Sequence, residues 1–349
     1  MNDNLPRIII ILGPNASGKS ELGVKLAKKY SAKGGPASSW NGAEIVSADS
    51  RQIYRGFDLS SGKIEGKWVK NKFIYKGIPH HLIDFLNPKK DFSVVQYQKL
   101  ANKTIKDILK RGKLPIIVGG TGFYIKAIVD NPKWPDVEAN KTLRKKLEKL
   151  SAEKLFKILK QKDSTRAKII DPRNKIRIIR ALEIVGQLGK VPKIKSQPIF
   201  NCLQIGIYKS PNELKTRIKK RLEERLAQRM IKEIETLHKK GLSWKKLESF
   251  GLEFKYIAFY LQGKFTPLNK PRGLNSPKAN YLKGVALKQM KSFAPAQDDK
   301  LMFVKKLNTE IWRYAKRQMT WFKRNPKIKW VKNYSQAEKI SSRFIKRER

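Results

Sequence analysis

Two hydrophobic periods alternate along this chain, and the first element they define is a run with no polar position. Residues 8–12, Ile-Ile-Ile-Ile-Leu, predict a short strand covered on both faces. Leu22, Leu26 and Tyr30 then recur at helical spacing and predict a helix over 21–30. A second strand starts at Glu44 and turns polar before Tyr54, and a further apolar stretch spans 73–85. Residues 91–111 set Val95, Leu100, Ile105, Ile108 and Leu109 on or near one helical face. Residues 114–122 read as another buried strand ending in a glycine-rich turn, and 203–208 as one more strand. Long helices are expected over 211–240 and 299–325. The expected fold is α/β: a parallel sheet core flanked by helices.

Beyond Asn131 the pattern changes. Residues 140–185 are helix-rich and carry Arg144, Lys145, Lys146, Lys168, Arg173, Lys175, Arg177 and Arg180. This predicts a mostly helical insertion domain at 131–200 between two parts of the core, 1–130 and 201–335, with a basic tail at 336–349. Two stretches lack any period. Residues 31–42 are rich in Gly, Ser and Ala, and 266–299 are broken by Pro267, Pro271, Gly273, Pro277, Gly284 and Pro295. Both are expected as surface loops, the second as a mobile insertion. There is no internal repeat.

Composition narrows the classes. Hydrophobic residues are 40% of 349, enough for a sizeable core. Seventy-eight Lys and Arg against 29 Asp and Glu give a net charge of +49. Such a charge reflects either a lysine-rich proteome or a polyanionic partner, meaning nucleic acid. A single cysteine, Cys202, excludes a disulfide framework and a Cys-based zinc site within the chain. No apolar run approaches ~18 residues, so no membrane span is expected. Neither is a signal peptide, and the expected location is the cytoplasm.

Candidate chemistry starts after the first strand. Residues 13–20, Gly-Pro-Asn-Ala-Ser-Gly-Lys-Ser, match the P-loop pattern in its strand–loop–helix context. Gly13 and Gly18 would let successive N–H groups turn toward phosphate oxygens, and the helix N-terminus adds partial positive charge. Lys19 would reach the terminal phosphate and Ser20 would hold Mg2+. Asp49 falls at the carboxyl end of the second strand, where ligands gather in open parallel sheets. It reads equally as a catalytic carboxylate or as an N-cap. The adjacent His80 and His81 point to opposite sides of a strand and would not ligate one ion together. The strand at 114–118 ends in Gly119-Gly120-Thr121 where a nucleotide hydrolase places an acid, which argues against ordinary ATP hydrolysis or kinase chemistry. Arg217, Arg221, Arg225 and Arg229 form a row at four-residue spacing, some of them in reach of Glu224 and nearby acids. Basic and aromatic residues interleave over 312–324, which suits either phosphate contact with stacking or a helix packed into the core.

In this order the segments resemble the tRNA dimethylallyltransferases. The resemblance rests on residues 13–20, on Ser47-Ala-Asp-Ser-Arg-Gln-Ile-Tyr54, on Ile78-Pro-His-His-Leu-Ile-Asp84 and on Val118-Gly-Gly-Thr-Gly122. It continues in Arg177-Ile-Ile-Arg-Ala-Leu-Glu183 and Tyr314-Ala-Lys-Arg-Gln-Met-Thr-Trp321. It implies transfer of a dimethylallyl group from its diphosphate to the N6 amine of the adenine 3′-adjacent to the anticodon in tRNA. The diphosphate, rather than ATP, would occupy Gly13, Pro14, Asn15, Ala16, Ser17, Gly18, Lys19 and Ser20, with Mg2+ on Ser20. Asp49 matches the family's general base and Thr121 its threonine at the reaction channel. Arg217 matches an arginine on the diphosphate, with Arg221 a competing assignment. The target adenine would leave its stack. Asp49, Ser50, Arg51 and Gln52 match the segment that reads it, joined by Thr121. Further tRNA contacts are implied at Arg144, at Ile176, Arg177, Ile178, Ile179 and Arg180, and at Lys316, Arg317, Gln318 and Lys323. The insertion domain would clasp the anticodon stem, the enzyme acting as a monomer with tRNA and dimethylallyl diphosphate as partners. This chain departs from the family in Asn15, usually Thr, in residues 253–256, Glu-Phe-Lys-Tyr for the usual Gly-Tyr-Lys-Glu, and in added length near 33–42 and 267–298. A P-loop kinase and a non-catalytic RNA-binding protein are the competing readings.

Overall fold

A computed structural model describes residues 4–31, 40–264 and 297–346. Most of the loop expected at 31–42 and of the insertion expected at 266–299 lies outside the described residues. The chain divides into two compact units, one formed by residues 1–129 with 199–349 and the other by 130–198.

The first unit is built on an eight-stranded sheet. In chain order its strands are β1 (Arg7–Leu12), β2 (Ala43–Ser47), β3 (Lys67–Val69), β4 (Lys72–Tyr75), β5 (Ile78–His81), β6 (Leu114–Gly119), β7 (Asn201–Ile207) and β8 (Lys329–Val331). They lie in the order β3-β4-β5-β2-β6-β1-β7-β8. From β5 to β8 all pairings are parallel, while β3 and β4 add an antiparallel hairpin at one edge. The expected parallel core is therefore present with an antiparallel edge, because 67–75 turns back at Lys70 and Asn71, both at positive φ. β1 lies inside the sheet between β6 and β7, and its residues divide by parity as a pleated strand requires. Ile9 and Ile11 join one apolar layer, and Ile8, Ile10 and Leu12 the other.

Helices cover both faces. Those of the first part are α1 (Lys19–Ser31), α2 (Val94–Lys110) and α3 (Gly122–Val129). Ser93 and Gln96 form a reciprocal capping box that starts α2. The face α2 buries is Tyr97, Ala101, Ile105 and Ile108, whereas Val95 is exposed, one helical step off the expected stripe.

The second unit is a helical cluster: α4 (Lys141–Leu147), α5 (Ala152–Lys162), α6 (Ser164–Ile169) and α7 (Lys175–Leu188). Asn140, Ser151, Asp163 and Asn174 cap these helices, each accepting from a backbone N–H three residues on. Leu155, Leu159, Ile178, Ile179, Leu182 and Val185 form its core. The unit spans 130–198 where the sequence marked 131–200.

After β7 the single helix expected over 211–240 is two. α8 (Pro211–Ala227) and α9 (Met230–Lys239) are separated at Arg229, whose backbone is left-handed at φ 71°. Short helices α10 (Trp244–Ser249) and α11 (Leu252–Leu261) precede the long α12 (Gln297–Lys323). The tail expected at 336–349 is also corrected. It folds as α13 (Tyr334–Lys346), whose Ala337, Ser341 and Ile345 are buried. Tyr30 donates to Ser341 Oγ at 3.0 Å and Arg7 donates to the Ile345 carbonyl at 3.0 Å. The apolar spacing at 337, 340, 344 and 345 is helical, and it outweighs the basic composition.

Candidate active site

The carboxyl ends of β1, β2 and β6 meet at one place, and the three turns that leave them build the site. The turn after β1 is the P-loop. Gly18 at φ +91° and Ala16 at φ 63° curl it so that α1 starts at Lys19. Ser17 Oγ is buried there without a partner, an atom left for a ligand oxygen. Lys19 Nζ meets the Pro14 carbonyl at 3.3 Å. Burial lowers its pKa to about 8, Asp49 opposes that fall and Arg221 adds to it. A lysine desolvated beside a cation gains from an arriving anion.

Asp49 follows β2. Its Oδ1 accepts the N–H groups of Arg51 at 2.9 Å and Gln52 at 3.3 Å. Oδ1 thus caps the turn, and Oδ2 takes no hydrogen bond among the described residues. The turn after β6 is pressed against this one. A Cβ on Gly119 would lie 2.1 Å from the Ala48 carbonyl oxygen, so only glycine fits. Thr121 N–H donates to Ala48 at 3.2 Å, and Thr121 Oγ1 accepts from Ser50 N–H at 3.0 Å. The glycine run at the end of β6 is what lets these strand ends close up.

These turns open on a cleft lined by Asn15, Lys19, Ser20, Asp49, Gln52 and Ser61 on one side and by residues of α8, α11 and α12 on the other. Ser20 and Asp49 are hard oxygen donors, the kind Mg2+ takes beside a ligand's phosphates and water. The arginine facing this cleft is Arg221, not Arg217. Arg217 is largely exposed and its Nε donates to Glu213 at 3.0 Å. Arg221 is half-buried, donates Nη2 to the Gly62 carbonyl at 2.7 Å, and lines the cleft. Burial and the neighbouring Arg225 lower its pKa, against the pull of Glu253 and Asp49.

The remaining expected contacts separate by burial. Gln318 is buried; its Oε1 accepts the Asn15 N–H at 2.9 Å and its Nε2 donates to the Gly120 carbonyl at 2.9 Å. It ties the P-loop to the β6 turn and is not a surface contact. Ile178 and Ile179 lie in the helical unit's core, so their side chains cannot reach a nucleic acid, whereas Ile176 is 82% exposed. Arg144 and Arg180 both bond Glu183. Arg177, Lys316, Arg317 and Lys323 are exposed. Arg51 donates to the Phe250 carbonyl at 2.7 Å, and Gln52 Nε2 to the Gly62 carbonyl at 3.2 Å. His80 and His81 turn to different partners: Ile78 O at 2.8 Å and the Glu44 carboxylate at 2.7 Å.

Sequence reasoning missed Arg225, Glu253 and Ser61 in the lining. Arg225 was legible: it falls three residues after Leu222 on the stripe Leu214, Ile218, Leu222, where a surface arginine does not belong. Glu253 was marked only by the departure at 253–256, and Ser61 carries no signal.

A glycine loop after an inner parallel strand, a lysine opening the next helix and a carboxylate at the end of a nearby strand define a P-loop α/β protein with a cation-lined cleft. The model of the family described as IPP transferase matches residues 52–325. A tRNA dimethylallyltransferase from Pelotomaculum thermopropionicum is 34% identical, over 97% of this chain and 95% of that protein. The full-length tRNA isopentenylpyrophosphate transferase from Bacillus halodurans shares the fold at a TM-score of 0.61. It is 28% identical, covering 97% of this chain and 95% of that one. A tRNA isopentenylpyrophosphate transferase from Staphylococcus epidermidis is 30% identical at a TM-score of 0.60, covering 98% and 100%. The chain belongs to the IPP transferase family.

Proposed function

We propose that this enzyme transfers a dimethylallyl group from dimethylallyl diphosphate to the N6 amine of the adenine 3′-adjacent to the anticodon in tRNA, releasing diphosphate. The observation that carries this reading is the pairing, in one cleft, of an anion cradle with a carboxylate whose Oδ2 is unspent. The P-loop N–H groups, Lys19 and Arg221 hold the diphosphate and stabilise the charge that grows on it as the C–O bond breaks. The N6–C bond forms as that bond breaks, and Asp49 Oδ2 accepts the proton that the amine sheds. Thr121, fixed to the Asp49 turn through Ser50, orients the amine, which matters because an exocyclic amine is a weak nucleophile. Mg2+ on Ser20 adds charge neutralisation at the phosphate oxygens when bound.

The RNA is held by phosphate contacts from Arg177 on the helical unit and from Lys316, Arg317 and Lys323 on α12, all exposed cations. No helix among the described residues is long and apolar enough to cross a membrane. We place the enzyme in the cytoplasm, beside its RNA substrate, as a monomer; one sedimenting species at 40.3 kDa checks the second point.

The test is incubation with Mg2+, dimethylallyl diphosphate and unmodified tRNA, digestion to nucleosides and mass detection of N6-prenyladenosine. The product is expected with the native chain. With Asp49→Ala it falls by a factor of about 10²–10⁴, while tRNA affinity stays within a few fold. An active Asp49→Ala enzyme removes the base from this residue, and absence of product from the native chain removes the function.

A further inference from the structure

Arg225 and Glu253 line the cleft but have no part in the proposed reaction. Glu253 stands in the first turn of α11 and is 6% exposed. Its Oε1 accepts both Nη1 and Nη2 of Arg225 at 3.0 Å. Arg225 also donates to the Leu59 carbonyl at 3.1 Å, and its Nε reaches the Arg221 carbonyl at 3.3 Å. Arg221 and Arg225 are one helical turn apart, the first half-buried and the second buried, so each opposes the charge of the other. Among the described residues, the charged lining is Lys19, Arg221 and Arg225 against Asp49 and Glu253. Three cations less two carboxylates leave a net +1; without Glu253 the lining would be +2.

A prenyl diphosphate and the diphosphate it releases both present phosphate oxygens to this lining, and the product carries one more ionisable oxygen than the substrate. Affinity for the phosphates that the substrate already has does not speed the chemical step, and an excess of positive charge holds the product and slows its release. The geometry points to Glu253 as the counter-charge that sets the strength of the diphosphate grip: it neutralises Arg225, leaves Arg221 as the arginine that answers the ligand, and keeps the product able to leave. The inference rests on reading the cleft as a diphosphate site. Glu253 touches no reacting atom; it acts through Arg225 and through its field at Arg221. That field opposes the lowering of the Arg221 pKa by burial and by Arg225.

The test is titration calorimetry of inorganic diphosphate, with Mg2+, into the full chain. The native protein binds it; if it does not, the reading of the cleft fails before Glu253 is examined. Glu253→Gln keeps the shape and removes the charge. It is expected to bind diphosphate about tenfold tighter, an ordinary effect for one unit charge across a partly buried site. Its kcat falls, and product inhibition sets in at correspondingly lower diphosphate. Unchanged affinity overturns the proposal, because the charge then does not reach the ligand. Weaker binding overturns it too, because Glu253 then only holds Arg225 in place. Arg225→Met/Glu253→Gln returns the lining to +1, and its affinity moves back toward the native value; a double variant as tight as Glu253→Gln overturns the proposal. Should Glu253→Gln not fold, Arg225→Met against Arg225→Met/Glu253→Gln makes the same comparison. The double variant then binds about tenfold tighter, and equal affinities overturn the proposal.

Discussion

Each unit of this protein buries a glutamate between two arginines, and the two glutamates use them differently. In the helical unit, Glu183 takes Arg144 Nε and Nη2 at 2.7 and 2.8 Å and Arg180 Nη1 at 3.3 Å. Arg180 also caps the Val137 carbonyl at 2.7 Å, and Glu183 accepts the Asn140 N–H at 3.0 Å. That cluster ties α4, the segment before it and α7 together. In the sheet unit, Glu253 takes Arg225 alone, and Arg221 one turn away goes to a carbonyl and the cleft. A carboxylate that engages both of its arginines holds a fold together. One that leaves an arginine over leaves positive charge for a ligand.

The largest effect that would break this contrast is on Arg221. Arg221→Met should lower kcat/KM for dimethylallyl diphosphate by about 10²–10³, the loss seen when one donor to a developing anion is removed. Arg217→Met should stay within about twofold, since its partner Glu213 is a solvent-exposed i,i+4 neighbour. Steady-state kinetics on the two variants decides it. The reverse outcome would return the diphosphate to Arg217 and leave Arg221 a structural group.

Next in size is Glu183→Gln. It should cost about 3 kcal/mol of stability, the low end for breaking a buried pair because Arg144 and Arg180 keep some solvent contact. Urea unfolding measures it, and diphosphate affinity should not change, the opposite of Glu253→Gln. Burial alone would raise the Glu183 pKa; the hydrogen bond and charge of Arg144, with help from Arg180, outweigh it and hold the pKa below the ordinary glutamate range. A lowered folded pKa means the native chain has this stability above the ordinary glutamate pKa. It loses it as the pH falls through the folded value. Glu183→Gln should lack that acid-side loss, and a variant with the native acid profile would place the proton elsewhere.

The same contrast explains what could be read from residues alone. The P-loop was legible because its function needs the backbone itself: glycine at Gly18 for φ +91°, and an apolar run at 8–12 ahead of it. Asp49 and Thr121 were legible through the family's motifs, yet their link through Ser50 and the close packing at Gly119 needed the fold. The choice between Arg217 and Arg221 was not legible. A four-residue spacing drifts about 40° per step around a helix of 3.6 residues per turn, so the row spans exposed, half-buried and buried positions. Only the packing of α8, which buries Leu214, Ile218 and Leu222, assigns each one. Gln318 carried a readable sign that the motif match obscured. It falls between Ala315 and Phe322 on the buried stripe of α12, so it faces the P-loop rather than RNA. The break at Arg229 had none, since no Gly or Pro marks it.

The smallest effect is a pH dependence, and it sharpens the contrast because it reads the cleft's charge directly. Lys19 binds an anion only as its cation, and burial lowers its pKa to about 8. The charge is complete below that value and is lost as the pH rises through it, so diphosphate binding should weaken by about fivefold between pH 8 and pH 9. Lys19→Arg, whose side chain keeps its proton throughout this range, should flatten the fall. A fall that persists in Lys19→Arg belongs to another group. Removing the carboxylate of Glu253 makes the lining more positive and should move the native fall to lower pH, since a nearby cation disfavours the protonated lysine. Glu183→Gln should leave the fall where it is. Calorimetry over pH 7 to about 9.5 on the native chain and the two glutamate variants separates a glutamate that tunes a ligand's charge from one that only ties helices together.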